Sequence, residues 1–156
     1  MTIPDIYGRG TAFSKWLRLQ PEIDSYLGWR NTNIDFYWRC DRRGYRMHIE
    51  EKTRKGHPRP HQYLSFAEHW WAFKKAYGDL YKGFHIIRFE NESPEDGWTE
   101  LDGRIVTRDQ LIIFLRFEAP DDWYITNEKV RQAFQKALRE KGAGYFKPAQ
   151  TEKAIF

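Results

Sequence analysis

The clearest alternation in the chain runs through residues 36–40 and 45–52. Successive strand side chains point to opposite faces. Phe36, Trp38 and Cys40 on the way out therefore share a face with Tyr45, Met47 and Ile49 on the way back. The opposite face collects Asp35, Tyr37, Arg39, Arg46, His48, Glu50 and Lys52. Between the arms lies Asp41-Arg42-Arg43-Gly44, a four-residue turn, so residues 31–53 predict a β-hairpin with one face for a core and one polar face.

The remaining elements follow from period and punctuation. Thr11 is an N-cap for a helix to about Gln20, where Pro21 stops it, and Phe13, Trp16 and Leu17 form its apolar stripe. Lys15 and Arg18 face outward, toward phosphate or simply solvent. Residues 61–77 repeat apolar positions at helical spacing (Tyr63, Phe66, Ala67, Trp70, Trp71), a pattern expected to cover the apolar face of the sheet. Residues 83–89 are almost continuously apolar, as in a central strand. Asn91 to Gly97 is a polar turn, and Asp102-Gly103 centres a small hairpin over 98–106. Thr107 with Gln110 forms a capping box that favours helix through 111–115. A last helix spans about 127–141, with Val130, Phe134 and Leu138 on one face and Gly142 as its stop. The tail, 143–156, is expected to order on DNA or at a subunit contact, or to fray. The sum is an α/β (α+β) chain, a mixed central sheet flanked by helices.

Length and composition narrow the picture. With 156 residues, 40% apolar and 17% aromatic, the chain is expected to be a single domain, residues 1–156, with rings supplying much of the burial. A net charge of +4 and a pI near 9.1 are only weakly suggestive of a polyanionic partner. Their distribution says more. Arg30, Arg39, Arg42, Arg43, Arg46, Lys52, Arg54, Lys55 and Arg59 crowd one stretch, against Asp35, Asp41, Glu50 and Glu51. One cysteine on the apolar side implies a reducing, intracellular compartment. No long apolar run or signal-peptide core is present, so no membrane partner is expected. His57 and His61 are separated by prolines that forbid an intact helix, and a lone cysteine makes no zinc site.

Chemistry concentrates at the open end of the hairpin. Two nearby carboxylates repel unless a cation lies between them. Hard oxygen ligands suit Mg²⁺, which commonly takes one or two carboxylates with substrate phosphate oxygens. An ammonium beside them can orient a water or offset charge growing on a phosphoryl group. A solvated strand with a Glu-Lys pair is the ordinary alternative for Glu50-Glu51-Lys52 taken alone.

Asp35, then Glu50-Glu51-Lys52 on the following strand, then Gln62 at a helix start, resembles the PD-(D/E)XK nuclease superfamily. More narrowly, the chain resembles its small bacterial homing endonucleases encoded in group I introns. The resemblance implies a restriction-endonuclease-like fold, a bacterial cytoplasmic setting, and site-specific cleavage of double-stranded DNA using Mg²⁺ or another divalent cation. It implies Asp35 and Glu50 as metal carboxylates, the Glu51 carbonyl as a further ligand, Lys52 as the water-orienting lysine and Gln62 beside it. The family carries a metal-linked Glu on its first helix. Here Ala12 stands in that place, which implies a weakened or inactivated site. The DNA contacts expected are Tyr37, Arg39, Arg42, Arg43, Arg46 and His48 on the hairpin, and Arg54, Lys55 and Arg59 on the basic loop, whose position beside Lys52 favours phosphate contact over simple solvation. Cutting two strands implies a homo-oligomer, dimer or tetramer. The alternatives are a junction resolvase, a DNA-binding module without catalysis, and a protein-interaction domain with chance charge clustering.

Overall fold

The computed structural model describes residues 12–27 and 34–146. Contacts divide the chain into two units, Met1–Asn33 and Ile34–Phe156. In the first, α1 spans Ala12–Arg18 and is followed by two single turns of 3₁₀ helix, Pro21–Ile23 and Ser25–Leu27. Phe13 and Trp16 stack on each other, and both are well exposed rather than core residues. The Thr11 cap, Trp29 and the hairpin's first residues, Asn31 to Asn33, lie outside the described residues.

The second unit is a five-stranded sheet in chain order: β1 (Phe36–Cys40), β2 (Tyr45–Lys52), β3 (Tyr81–Phe89), β4 (Thr99–Leu101) and β5 (Arg104–Val106). All neighbours are antiparallel except β2 and β3, which run parallel across the crossover helix α2 (Pro60–Tyr77). The hairpin forms in the register its alternation demands, with Phe36 opposite Ile49 and Cys40 opposite Tyr45. Gly44, at φ 76°, closes the turn by donating its N–H to the Cys40 carbonyl at 2.8 Å, in a conformation that a side chain would disfavour. The unit also contains the helices α3 (Arg108–Leu115) and α4 (Glu128–Lys141).

Helices cover both faces of the sheet. Met47, Ile49, Ile87, Phe89, Leu101 and Val106 pack against Leu111 and Phe114 of α3. On the other face, Phe84 and Ile86 meet Phe66 and Ala67 of α2 and Val130 and Phe134 of α4. The expectation that α2 covers the Met47 face is therefore reversed. Short α3 has that face, and α2 lies over the side that carries His48 and Glu50. A second difference concerns the edge. Phe36 and Trp38 share the Met47 face as expected, yet they remain 46% and 42% exposed because β1 is an outer strand. Trp38 donates its indole N–H to the Leu115 carbonyl at 2.7 Å.

One irregularity in the sheet matters for the site. Arg46 pairs with Tyr81 but His48 pairs with Phe84, so β3 carries one extra residue there. Gly83, at φ 94°, sits inside this bulge. The extra residue resets the alternation, and Tyr81 and Phe84 both face α2.

Candidate active site

At the end of the hairpin, Asp35 lies one residue before β1 and opposite Glu50 in the extrapolated register, since Phe36 pairs with Ile49. Side chains so placed are cross-strand neighbours. The Asp35 N–H donates to Glu50 Oε2 at 3.2 Å, and the Glu51 N–H donates to Asp35 Oδ2 at 2.9 Å. Lys52, two residues on and on the same face, places its Nζ 3.5 Å from Glu50 Oε1. Glu50 is fully buried, and a carboxylate so enclosed needs charge and hydrogen-bond compensation. Lys52 and the Asp35 amide give it both. Alternation turns the Glu51 side chain to the Met47 face, so only its main chain can serve this corner.

The donor set suits a hard cation of low protein coordination. Two carboxylates side by side match Mg²⁺, which keeps water and substrate oxygens for its remaining positions. Among the described residues no group of three or more His, Cys, Asp or Glu side chains is assembled to hold a metal. A closed zinc-type cage is not what this corner offers. Ala12 is the first residue of α1, in the other unit.

Gln62 is occupied as a helix cap. Its Oε1 accepts from the Arg59 N–H at 2.8 Å, tying off one of the free donors at the start of α2. His48 is not a surface residue, which corrects the expectation of a DNA contact. It is 4% exposed, stacks on Phe84, meets the edge of Phe73, and shares a 2.9 Å hydrogen bond with the Tyr81 hydroxyl. Burial, with the nearby His69 as a smaller influence, pushes its pKa down to about 4. His48 is thus neutral at physiological pH, and burial pushes the ionisation of its partner Tyr81 well above the usual tyrosine range. The reason lies in α2, which the sequence pattern assigned to the opposite face.

The basic residues separate into two groups. Arg39 and Arg42 are exposed at the tip, Arg39 being 3.8 Å from Asp41. Arg43 donates to the Arg116 carbonyl and lies over Tyr45, and its guanidinium holds the Cys40 thiol below its usual range. Arg46 is half-buried. It lies 3.9 Å over the Tyr77 ring and donates to the Gly44 carbonyl and to the Tyr37 hydroxyl, so its first role is to brace the turn. Tyr37 itself is 42% exposed.

The second group belongs to the loop between Lys52, at the end of β2, and the start of α2. Arg54 and Lys55 both take left-handed φ values, 52° and 60°, a conformation costing a non-glycine residue about 1–2 kcal/mol. Arg54 is ion-paired to Glu92 at 2.5 Å. Lys55 and Arg59 are exposed, and no acidic group among the described residues lies in ion-pair range of either. Arg88, which pairs with Lys52 across β2 and β3, was passed over in the sequence as part of an apolar strand. Its only signal there was a charge in an otherwise apolar run. Among the described residues no helix is long and apolar enough to cross a membrane. Comparison of the chain with protein-family models, with curated proteins and with solved structures finds no match.

Proposed function

We propose that this chain is a Mg²⁺-dependent DNA endonuclease of the PD-(D/E)XK kind, acting as a homo-oligomer on a duplex. The observation that supports the reading most is the meeting of Asp35, Glu50 and Lys52 at one corner, with the exposed cations Lys55 and Arg59 in the loop that follows Lys52. Asp35 and Glu50 hold the cation, and the Glu51 main chain fixes the Asp35 carboxylate through its N–H. A bound divalent ion polarises a phosphoryl oxygen and makes its bound water more acidic. Lys52 orients the attacking water and offsets charge building on the phosphoryl oxygens. Attack in line at phosphorus breaks the bond to the 3′ oxygen. One corner serves one strand, so cleavage of both needs two copies related by a two-fold axis.

The test is a pool of random-sequence duplexes incubated with Mg²⁺ and the chain, with new ends read by sequencing. Metal-dependent ends are expected, enhanced by Ala12→Glu and abolished by Lys52→Ala. A four-way junction beside the linear pool separates a resolvase, which would prefer the branch. Ala12 itself favours a second reading, a DNA-binding module without catalysis. For that reading the outcome is duplex binding with no metal-dependent ends from either the wild type or Ala12→Glu. A log-affinity against log-salt slope near zero would remove both readings and leave a protein-interaction domain.

A further inference from the structure

Arg88 sends its guanidinium in three directions. Nη1 donates to Glu100 Oε1 at 2.9 Å, Nε donates to the Gly56 carbonyl at 2.8 Å, and Nη2 donates to the Lys55 carbonyl at 3.0 Å. Its side chain is 15% exposed, its Glu100 partner 21%, and the Trp98 ring lies 5.6 Å from the guanidinium carbon. The two carbonyls belong to the turn in which Arg54 and Lys55 adopt left-handed φ. The same turn is held from the other side. The Arg54 N–H donates to the Asn91 carbonyl at 2.7 Å, and the Lys55 N–H donates to the Phe89 carbonyl at 2.9 Å.

A rigid five-donor fork is the group that can serve one carboxylate and two carbonyls together, which a lysine ammonium on a flexible stem does poorly. The outcome is a turn in an unfavourable backbone conformation that is nonetheless over-determined, and such strain persists only where its surroundings enforce it. The turn carries Lys55 outward, immediately after the strand that ends in Lys52. We propose that Arg88, braced by Glu100, is a positioning residue that holds the Arg54–Gly56 turn so that Lys55 meets a nucleic-acid phosphate beside Lys52. This rests on the nuclease reading for its ligand, while the clamp itself does not.

The experiment has two arms on the full chain. In the first, limited trypsin digestion followed by mass spectrometry compares cuts after Arg54 and Lys55 with cuts after Lys136, an exposed lysine within α4. Wild type is expected to resist at Arg54 and Lys55. Arg88→Lys is expected to raise cutting there with little change at Lys136, and Glu100→Gln, which keeps the two carbonyl bonds, to raise it less. General unfolding would raise all three sites together, and Glu100→Gln stands in should Arg88→Lys fail to fold. Wild-type resistance in both variants overturns the clamp whatever DNA does.

In the second arm, binding to a random-sequence duplex is measured across salt. Lys55→Gln is expected to reduce the magnitude of the log–log slope by about 0.9, the loss of one phosphate contact. Arg88→Lys is expected to lose the same amount, and the double variant no more than either alone. Additive losses, or a loosened turn with an unchanged slope, overturn the positioning role. A wild-type slope near zero overturns the nuclease reading and with it the phosphate role, while the digestion result stands on its own.

Discussion

At the residue scale, burial decides roles that charge alone leaves open. Glu50 and Lys52 form an ion pair with one member wholly enclosed. Removing one partner of such a pair strands the other and costs about 3–5 kcal/mol where both are buried; Lys52 retains 20% exposure, so the low end applies. Lys52→Ala should therefore lower the urea midpoint as well as abolish cleavage. Lys52→Ala combined with Glu50→Gln should recover part of that stability without recovering cleavage. His48 gives a pH signature. Its pKa falls from 6.5 to about 4 on folding, so between those values the unfolded chain binds a proton that the folded one refuses. Stability from this group is full above pH 6.5 and is lost as pH drops to 4, by about 3 kcal/mol. His48→Gln keeps both a donor and an acceptor for the Tyr81 hydroxyl, and urea titrations at pH 7 and pH 4 should show this increment gone. An unchanged acid slope in the variant would mean that His48 does not titrate as its burial requires.

At the element scale, local signals were legible and pairings across the chain were not. The capping box was readable because both partners lie within four residues, and Thr107 Oγ1 accepts from the Gln110 N–H at 3.1 Å while Gln110 Oε1 accepts from the Thr107 N–H at 2.8 Å. Thr107→Ala should cost about 1 kcal/mol, read as a lower melting temperature. The hairpin was readable for the same reason, since alternation and a Gly-closed turn fix its register. Which helix covers which face was not readable, because both α2 and α3 carry apolar stripes and the choice rests on the parallel step from β2 to β3. That misplacement is what turned His48 into an expected DNA contact. The bulge at Gly83 left no cue beyond the glycine itself, and it is the most demanding position in β3. A Cβ there would sit 2.7 Å from the Tyr124 carbonyl and 2.8 Å from Thr126 Oγ1, at a φ that side chains avoid. Gly83→Ala should destabilise by more than about 2 kcal/mol, shown by denaturant unfolding.

At the scale of the whole sheet unit, the cations are arranged as two patches rather than one rim. β2 has eight residues, so at about 3.3 Å per residue its ends are roughly 23 Å apart. Arg39 and Arg42 lie by the Tyr45 end, with Lys55 and Arg59 beyond the Lys52 end. A point substrate would feel only one patch, whereas a duplex lying along the hairpin would engage both. Sites this far apart with no shared partner contribute additively. If one duplex spans both, Arg42→Gln and Lys55→Gln should each reduce the magnitude of the salt slope by about 0.9, and the double variant by the sum. This contrasts with the non-additivity expected between Lys55 and Arg88, which act on one turn. Binding isotherms of the four proteins on a 30-base-pair duplex at several salt concentrations decide the matter. If Arg42→Gln leaves the slope unchanged while Lys55→Gln lowers it, DNA touches only the carboxylate end. The hairpin tip would then be a braced turn whose arginines serve the fold, as Arg43 and Arg46 already do through Arg116, Tyr45 and Tyr77.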